Sequence, residues 1–131
     1  LPLPRRPHDR AYRTSSYRVG DVAFRLGRRT PALDATLHRL HASEAVLLTA
    51  CNPHSRRMPS AWNARMMRAL AAITRRRRVT AGESGAGRWR EAQLLVAGPA
   101  AWATSLARRF RQNAVVVLRR RQPPRLLWVA A

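Results

Sequence analysis

The stretch EAVLLTACNPHS, Glu44–Ser55, decides how the chain reads. Its first half carries the continuous apolar run Ala45–Leu48, too short for a helix, which predicts a strand buried on both faces. Its second half turns abruptly polar without becoming charged: Thr49, Asn52, His54 and Ser55 surround Pro53, and a helix-like segment starts near Ser60. A strand that leaves through a polar loop into a helix is the repeating unit of an α/β domain.

Toward the C-terminus, Ser60 is placed to cap the helix AWNARMMRALAAITR, with Trp62, Met66, Ala69, Leu70 and Ile73 as its core face. Arg75–Arg78 close that helix, where cations complement the dipole. VTAGESGAGRW reads as a Gly-rich loop that holds Trp89, and EAQLLVAG as a strand. PAAWATSLARRFRQ reads as a helix with Trp102, Leu106 and Phe110 on one side and Asn113 as its C-terminal cap. AVVVL and RLLWV follow as a hairpin joined by RRRQPP. Toward the N-terminus, TPALDATLHRLH is a short helix capped by Thr30, with Pro31 at its first position and an apolar stripe of Leu33, Leu37 and Leu40. In YRTSSYRVGDVAFRLG two extended runs flank Gly20–Asp21, a pair suited to a type II′ turn, and Val22, Phe24 and Leu26 share one face. Residues 1–10 read as a loose basic arm before a single domain, 11–131. The order is β-β-α-β-α-(β)-β-α-β-β: one mixed sheet with about three helices, class α/β, with α+β as the alternative because hairpins sit at both ends. Pattern alone leaves the strand order and oligomeric state open.

A chain of 131 residues with 46% hydrophobic content can bury one core. No apolar run reaches the roughly 20 residues that span a bilayer, and LPLPRRPHDR lacks the apolar centre of a secretory signal, so the expectation is a soluble cytoplasmic protein with no membrane partner. Cys51 is the lone cysteine, which excludes an internal disulfide and a multi-cysteine metal site. The formal charge is +20, from 26 basic residues, all arginine, against six carboxylates. Arginine in place of lysine follows from a GC-rich genome; the scarcity of carboxylates does not. Such a field attracts polyanions.

The loop after Leu48 is where ligands gather in open α/β sheets, and a helix N-terminus beside Arg56 and Arg57 suits an anion. Asn52 and Ser55 both donate and accept, and Pro53 is expected to hold Asn52 extended. The competing account is local: an Asx-turn at Asn52 and serines that satisfy the helix start. Cys51, Asn52 and His54 invite a thiol-enzyme reading, which fails because nucleophile, base and orienter seldom meet from adjacent positions in one loop. His8, His38 and His41 have no ligand-rich neighbours, so no metal is expected. GESGAGRW lacks both the GxxxxGK[ST] and GxGxxG spacings. Glu83 and Glu91 are the carboxylates from which paired acid chemistry would be built.

Thr49, Ala50, Asn52, Pro53 and Ser55, then Asn63, then Trp89 and Glu91, then Phe110, Gln112 and Ala114 form the order TAxNPxS, Asn, WxE, FxQxA. This resembles the bacterial domain-of-unknown-function family 3293 from Tyr12 to Val129, with departures at Cys51, where relatives carry an aromatic, and Gln93, where they carry a smaller residue. The resemblance implies no activity, but it groups polar residues at strand and helix ends. The leading expectation is therefore a ligand site for a small polar or anionic molecule built from Thr49, Asn52, Ser55, Asn63, Glu91 and Gln112, without a cofactor. Two alternatives stand beside it: a nucleic-acid-binding surface of Arg75, Arg76, Arg77, Arg78, Arg108, Arg109, Arg111, Arg119, Arg120 and Arg121, and an enzyme in which Glu91 is the catalytic acid or base.

Overall fold

The computed structural model describes residues 8–129. In chain order the elements are α1 (Asp9–Thr14), β1 (Ser16–Val19), β2 (Val22–Phe24), α2 (Ala32–Arg39), β3 (Glu44–Leu48), a 3₁₀ turn (Pro53–Ser55), α3 (Ser60–Thr74), β4 (Val79–Ala86), β5 (Trp89–Ala97), α4 (Ala100–Arg109), β6 (Ala114–Arg119) and β7 (Arg125–Trp128). One seven-stranded sheet runs β2-β1-β4-β5-β3-β6-β7. The single sheet with its helices is the expected mixed α/β arrangement.

Every ladder is antiparallel. Two helices nevertheless join strands that run the same way: α3 links β3 to β4, and α4 links β5 to β6. In each case one strand lies between the joined pair, β5 in the first and β3 in the second. From Glu44 to Arg119 this is the split β-α-β-β-α-β pattern of ferredoxin-like domains, extended by the β1–β2 hairpin on one edge and β7 on the other.

The unbroken apolar character of β3 follows from what covers it. Ala45 and Leu47 face a core with Tyr17, Val19, Phe24, Leu95, Val116, Leu118 and the α2 residues Leu33, Leu37 and Leu40. Val46 and Leu48 face the other core, with Leu70 of α3 and Ala103, Leu106 and Ala107 of α4. Helices cover both faces, so alternation is lost in β3, and each buried Leu or Val there contributes roughly 1.5–3 kcal/mol. The sheet curls around α2. Near its two edges, the N–H of Gly27, just beyond β2, donates to the carbonyl of Pro124, just before β7, at 2.9 Å.

Several local expectations change. Residues 1–7 of the expected arm lie outside the described residues, while Asp9 and Arg10 begin α1, whose Asp9–Arg13 pair at 3.0 Å spans one helical turn. The first extended run accordingly starts at Ser16, not Tyr12. The Gly-rich segment is no loop: Val79–Ala86 is a strand that pairs along its whole length with β5. Its glycines serve close approach, since a Cβ on Gly82 would come within 2.8 Å of both the Arg18 carbonyl and the Leu47 side chain. The β1–β2 turn does form at Gly20–Asp21, with Gly20 at φ +53°. Pro31 and Pro59 occupy the N-cap positions where Thr30 and Ser60 were expected, and neither helix start carries a side-chain cap. Helix α4 ends through Arg111, at φ +55°, with Gln112 donating back to Ala107 at 3.0 Å, so Asn113 is not its cap. On α3 the buried positions are Leu70 and Thr74, whereas Ile73 is 42% exposed, because the helix rests on the sheet along a narrow line.

Candidate functional site

The strand end at Leu48, the starts of β5 and β6 and the end of β4 meet under α1. There the concave side of the sheet leaves a cavity of about 330 Å³. Packing voids in native cores are seldom larger than a water molecule, and this volume lies in the range of small-molecule sites. Leu47, Val116, Leu126 and Tyr17 form an apolar floor that continues the α2 core. Tyr12, Thr49, Asn52, Ser55, Ser84, Glu91, Gln93 and Gln112 bring polar atoms to the walls, and Trp89 stands at the rim with the Arg57 guanidinium 5.6 Å from its ring.

Thr49 ties the loop to β5. Its hydroxyl donates to the Ala92 carbonyl at 2.7 Å and accepts from the Cys51 N–H at 3.0 Å. Asn52, 6% exposed, is the hub of the loop. Its Oδ1 accepts from the Met58 N–H at 2.8 Å and from Asn63 Nδ2 at 2.9 Å, while Asn63 Oδ1 accepts from the Asn52 N–H at 3.0 Å. Its Nδ2 donates to Glu91 Oε2 at 2.9 Å.

Asn52 is not extended as Pro53 suggested: it sits at φ +48°, ψ +64°, and His54 and Ser55 are also left-handed, at φ +51° and +62°. Three non-glycine residues in that region within four positions constitute local strain, tolerated because the surrounding bonds hold the loop. Asn is the residue type that best accepts this geometry.

On β5, Glu91 Oε1 accepts from Gln93 Nε2 at 3.3 Å, and the same amide donates to Ser84 Oγ at 2.9 Å. Gln112 Nε2 donates to the carbonyls of Cys51 at 2.9 Å and Phe110 at 3.1 Å. Asn113 donates to Ser55 Oγ at 3.0 Å, and the Tyr12 hydroxyl lies 3.4 Å from the same oxygen. Tyr12 also packs edge-on against Trp128, its ring centroid 5.5 Å away, which seats α1 over the cavity.

Of the six carboxylates, Asp9, Asp34, Glu44 and Glu83 pair with arginines. Asp21 lies in an exposed turn. Glu91 lines the cavity, and none of the described lining residues is arginine. Desolvation raises the Glu91 pKa above the usual carboxylate value, against the lowering effect of the Asn52 amide. Burial likewise raises Tyr12 and Tyr17. Cys51 is buried and its thiol is pushed up by burial, the environment of an inert core cysteine rather than a nucleophile.

Of the six expected ligand residues, Thr49, Asn52, Ser55, Glu91 and Gln112 line the cavity. Asn63 does not; it acts one step back, on Asn52. Gln93, set aside in the sequence because it departs from the family pattern, is buried beside Glu91, and the period of two along a strand was the signal that places both on one face. Trp89 opens β5 rather than lying in a loop. Tyr12 and Ser84 carried little signal, because α1 was not anticipated and β4 stood only as the optional strand of the expected order; Tyr17 lies on β1, an expected strand, but its place at the cavity depends on the curl of the sheet. Among the described residues no group of three His, Cys, Asp or Glu side chains is placed to hold a metal, and no helix is long and apolar enough to cross a membrane.

No curated protein and no solved structure matches the chain significantly. The sequence profile described as "Protein of unknown function (DUF3293)" matches residues 48–115, which run from the end of β3 through the Asn52 loop, α3, β4, β5 and α4 into β6. That span carries Asn52, Asn63, Glu91, Gln93 and Gln112, and the chain belongs to the DUF3293 family.

Proposed function

We propose that the cavity under α1 binds a small neutral or singly cationic molecule that presents N–H donors to Glu91. The observation that carries this reading is the charge of the lining: in a chain with 26 arginines, the cavity keeps a carboxylate and no described arginine. An anionic ligand, admitted by the sequence pattern, would meet Glu91 with no arginine among the described lining residues, where His8 is the one basic side chain. The Glu91 carboxylate accepts from Asn52 and Gln93, which orient it and leave acceptor capacity toward the cavity. The apolar floor and the Tyr12 ring supply the burial that small-molecule sites require.

The test is a thermal-shift and calorimetric screen of primary amines, primary amides and guanidines against carboxylates matched in size. N–H donors are expected to stabilise the protein, and Glu91→Gln to remove most of that effect. Stabilisation by the carboxylates, or full retention in Glu91→Gln, overturns the reading.

A catalytic reading has one favourable observation of its own, since burial holds the Glu91 pKa up and no described arginine pairs with it, a condition suited to proton transfer. It requires turnover that titrates with Glu91 and is lost in Glu91→Gln.

A further inference from the structure

The cavity occupies one end of the sheet; the opposite end is built from arginine. Helix α3 runs out there into Arg75–Arg78, all exposed. The Arg78 carbonyl accepts from Ala97, Ala97 pairs with Ala45, and Ala45 pairs with Leu118, the residue before Arg119. At about 4.8 Å per ladder, the α3 tail and the Arg119–Arg121 turn lie roughly 15 Å apart along one rim. Arg120 Nε donates to the Ala42 carbonyl at 3.0 Å, which brings the end of α2 to the same rim.

The arginines expected as one surface therefore divide. Arg75–Arg78 and Arg119–Arg121 share this end, while Arg108 and Arg109 close α4 at the cavity end, with Arg111 beyond them.

Glu44, the carboxylate at the start of β3, is engaged by Arg119. Arg75, Arg76, Arg78, Arg120 and Arg121 form no ion pair among the described residues. Arg77 is held against the protein instead. Its guanidinium lies 3.8 Å from the Trp102 ring centroid and donates to the Ala97 carbonyl at 3.3 Å, pinning the tail to the sheet. That stacking also covers the aromatic ring at this end, so the rim offers cations without a free platform for bases. Duplex nucleic acid presents one charge per about 1.7 Å of axis with both strands counted, so roughly 15 Å of rim spans a length that carries about nine phosphates, a part of which face it.

We propose that this rim docks on the phosphate backbone of a nucleic acid, without base readout, through Arg75, Arg76, Arg78, Arg120 and Arg121.

The experiment measures anisotropy of labelled duplex DNA and duplex RNA of two unrelated sequences across a salt series. Wild type is compared with two triple variants that remove equal charge from exposed positions: Arg75→Gln/Arg76→Gln/Arg78→Gln at the rim, and Arg65→Gln/Arg68→Gln/Arg109→Gln elsewhere. The rim variant is expected to lower the slope of log K against log salt by about 2–3, the control by less than about 1, with the two sequences bound alike. Preference for DNA or RNA identifies which polymer supplies the phosphate. Equal loss in both variants would reduce the rim to net charge and overturn the proposal. So would a strong sequence preference, or tighter binding to phosphatidylserine vesicles than to either duplex. Should the rim triple melt well below wild type, Arg76→Glu replaces it and must weaken binding more than Arg68→Glu.

Discussion

Replacing Asn52 tests whether the strained loop is held by one side chain. Asn52→Ala removes three hydrogen bonds, to the Met58 N–H, Asn63 Nδ2 and Glu91 Oε2. At about 1 kcal/mol net for each, the loss is about 3 kcal/mol, more where a buried partner stays unpaired. Alanine at φ +48° adds about 1–2 kcal/mol for the left-handed backbone, which Asn eases. The expected cost is therefore about 4–5 kcal/mol, a large share of the 5–15 kcal/mol typical of a domain.

Asn52→Gly separates the two contributions. It loses the same side-chain bonds but accepts the backbone, so it should be about 1 kcal/mol more stable than Asn52→Ala. Urea unfolding reads both as shifts of midpoint at constant slope. A cost under about 1 kcal/mol for alanine would refute the hub role of Asn52, and a glycine variant no better than alanine would refute the strain argument.

Two carboxylates should respond to pH with opposite signs. Burial raises the folded-state pKa of Glu91, so its contribution to stability is present in full below the unfolded carboxylate value and is lost as pH rises through the folded one; Glu91→Gln should gain on wild type over that rise. A melting-temperature difference that is flat in pH would show that Glu91 is not desolvated as described. Burial of Glu44 raises its pKa, but the bonds from Arg119 and the Ala100 N–H outweigh this and lower it, so its contribution is present above the unfolded value and lost as pH falls through the folded one. Glu44→Gln should therefore cost stability at neutral pH and converge on wild type in acid, and a gap that widens there would contradict the pairing.

The sequence discloses what depends on burial and little of what depends on partners. Ala45–Leu48 announced a strand covered on both sides, and the stripe of Leu33, Leu37 and Leu40 announced α2, because hydrophobic period follows directly from which face is buried. β4 was legible only as an optional strand in a segment that read as a loop, because Gly82 and Gly85 carry no side-chain signal; their role is steric and appears only when the Arg18 backbone and the Leu47 and Arg90 side chains are in place. The antiparallel ladders were equally hidden, since the insertion of β5 between β3 and β4 is a long-range choice. The crevice argument for open α/β sheets therefore named the loop that borders the cavity for a reason that does not apply. The cavity arises instead where a curled sheet outruns the helix inside it. Asn52, Glu91 and Gln112 were legible as polar residues at element ends, whereas α1, with six residues, is too short to show a period.

The Gly27–Pro124 contact bears on how the protein coexists with its own copies. A sheet ordinarily ends in two strands whose unpaired donors and acceptors can template a neighbouring chain. Here the terminal strands are only three and four residues long, and the curl directs each toward the other. Pro123 and Pro124 remove two N–H groups at the approach to β7. Edge strands this short, with one backbone bond tying the chain beside them, leave little ladder for a second molecule to extend, so the curvature that opens a cavity inside also works against fibrous growth outside.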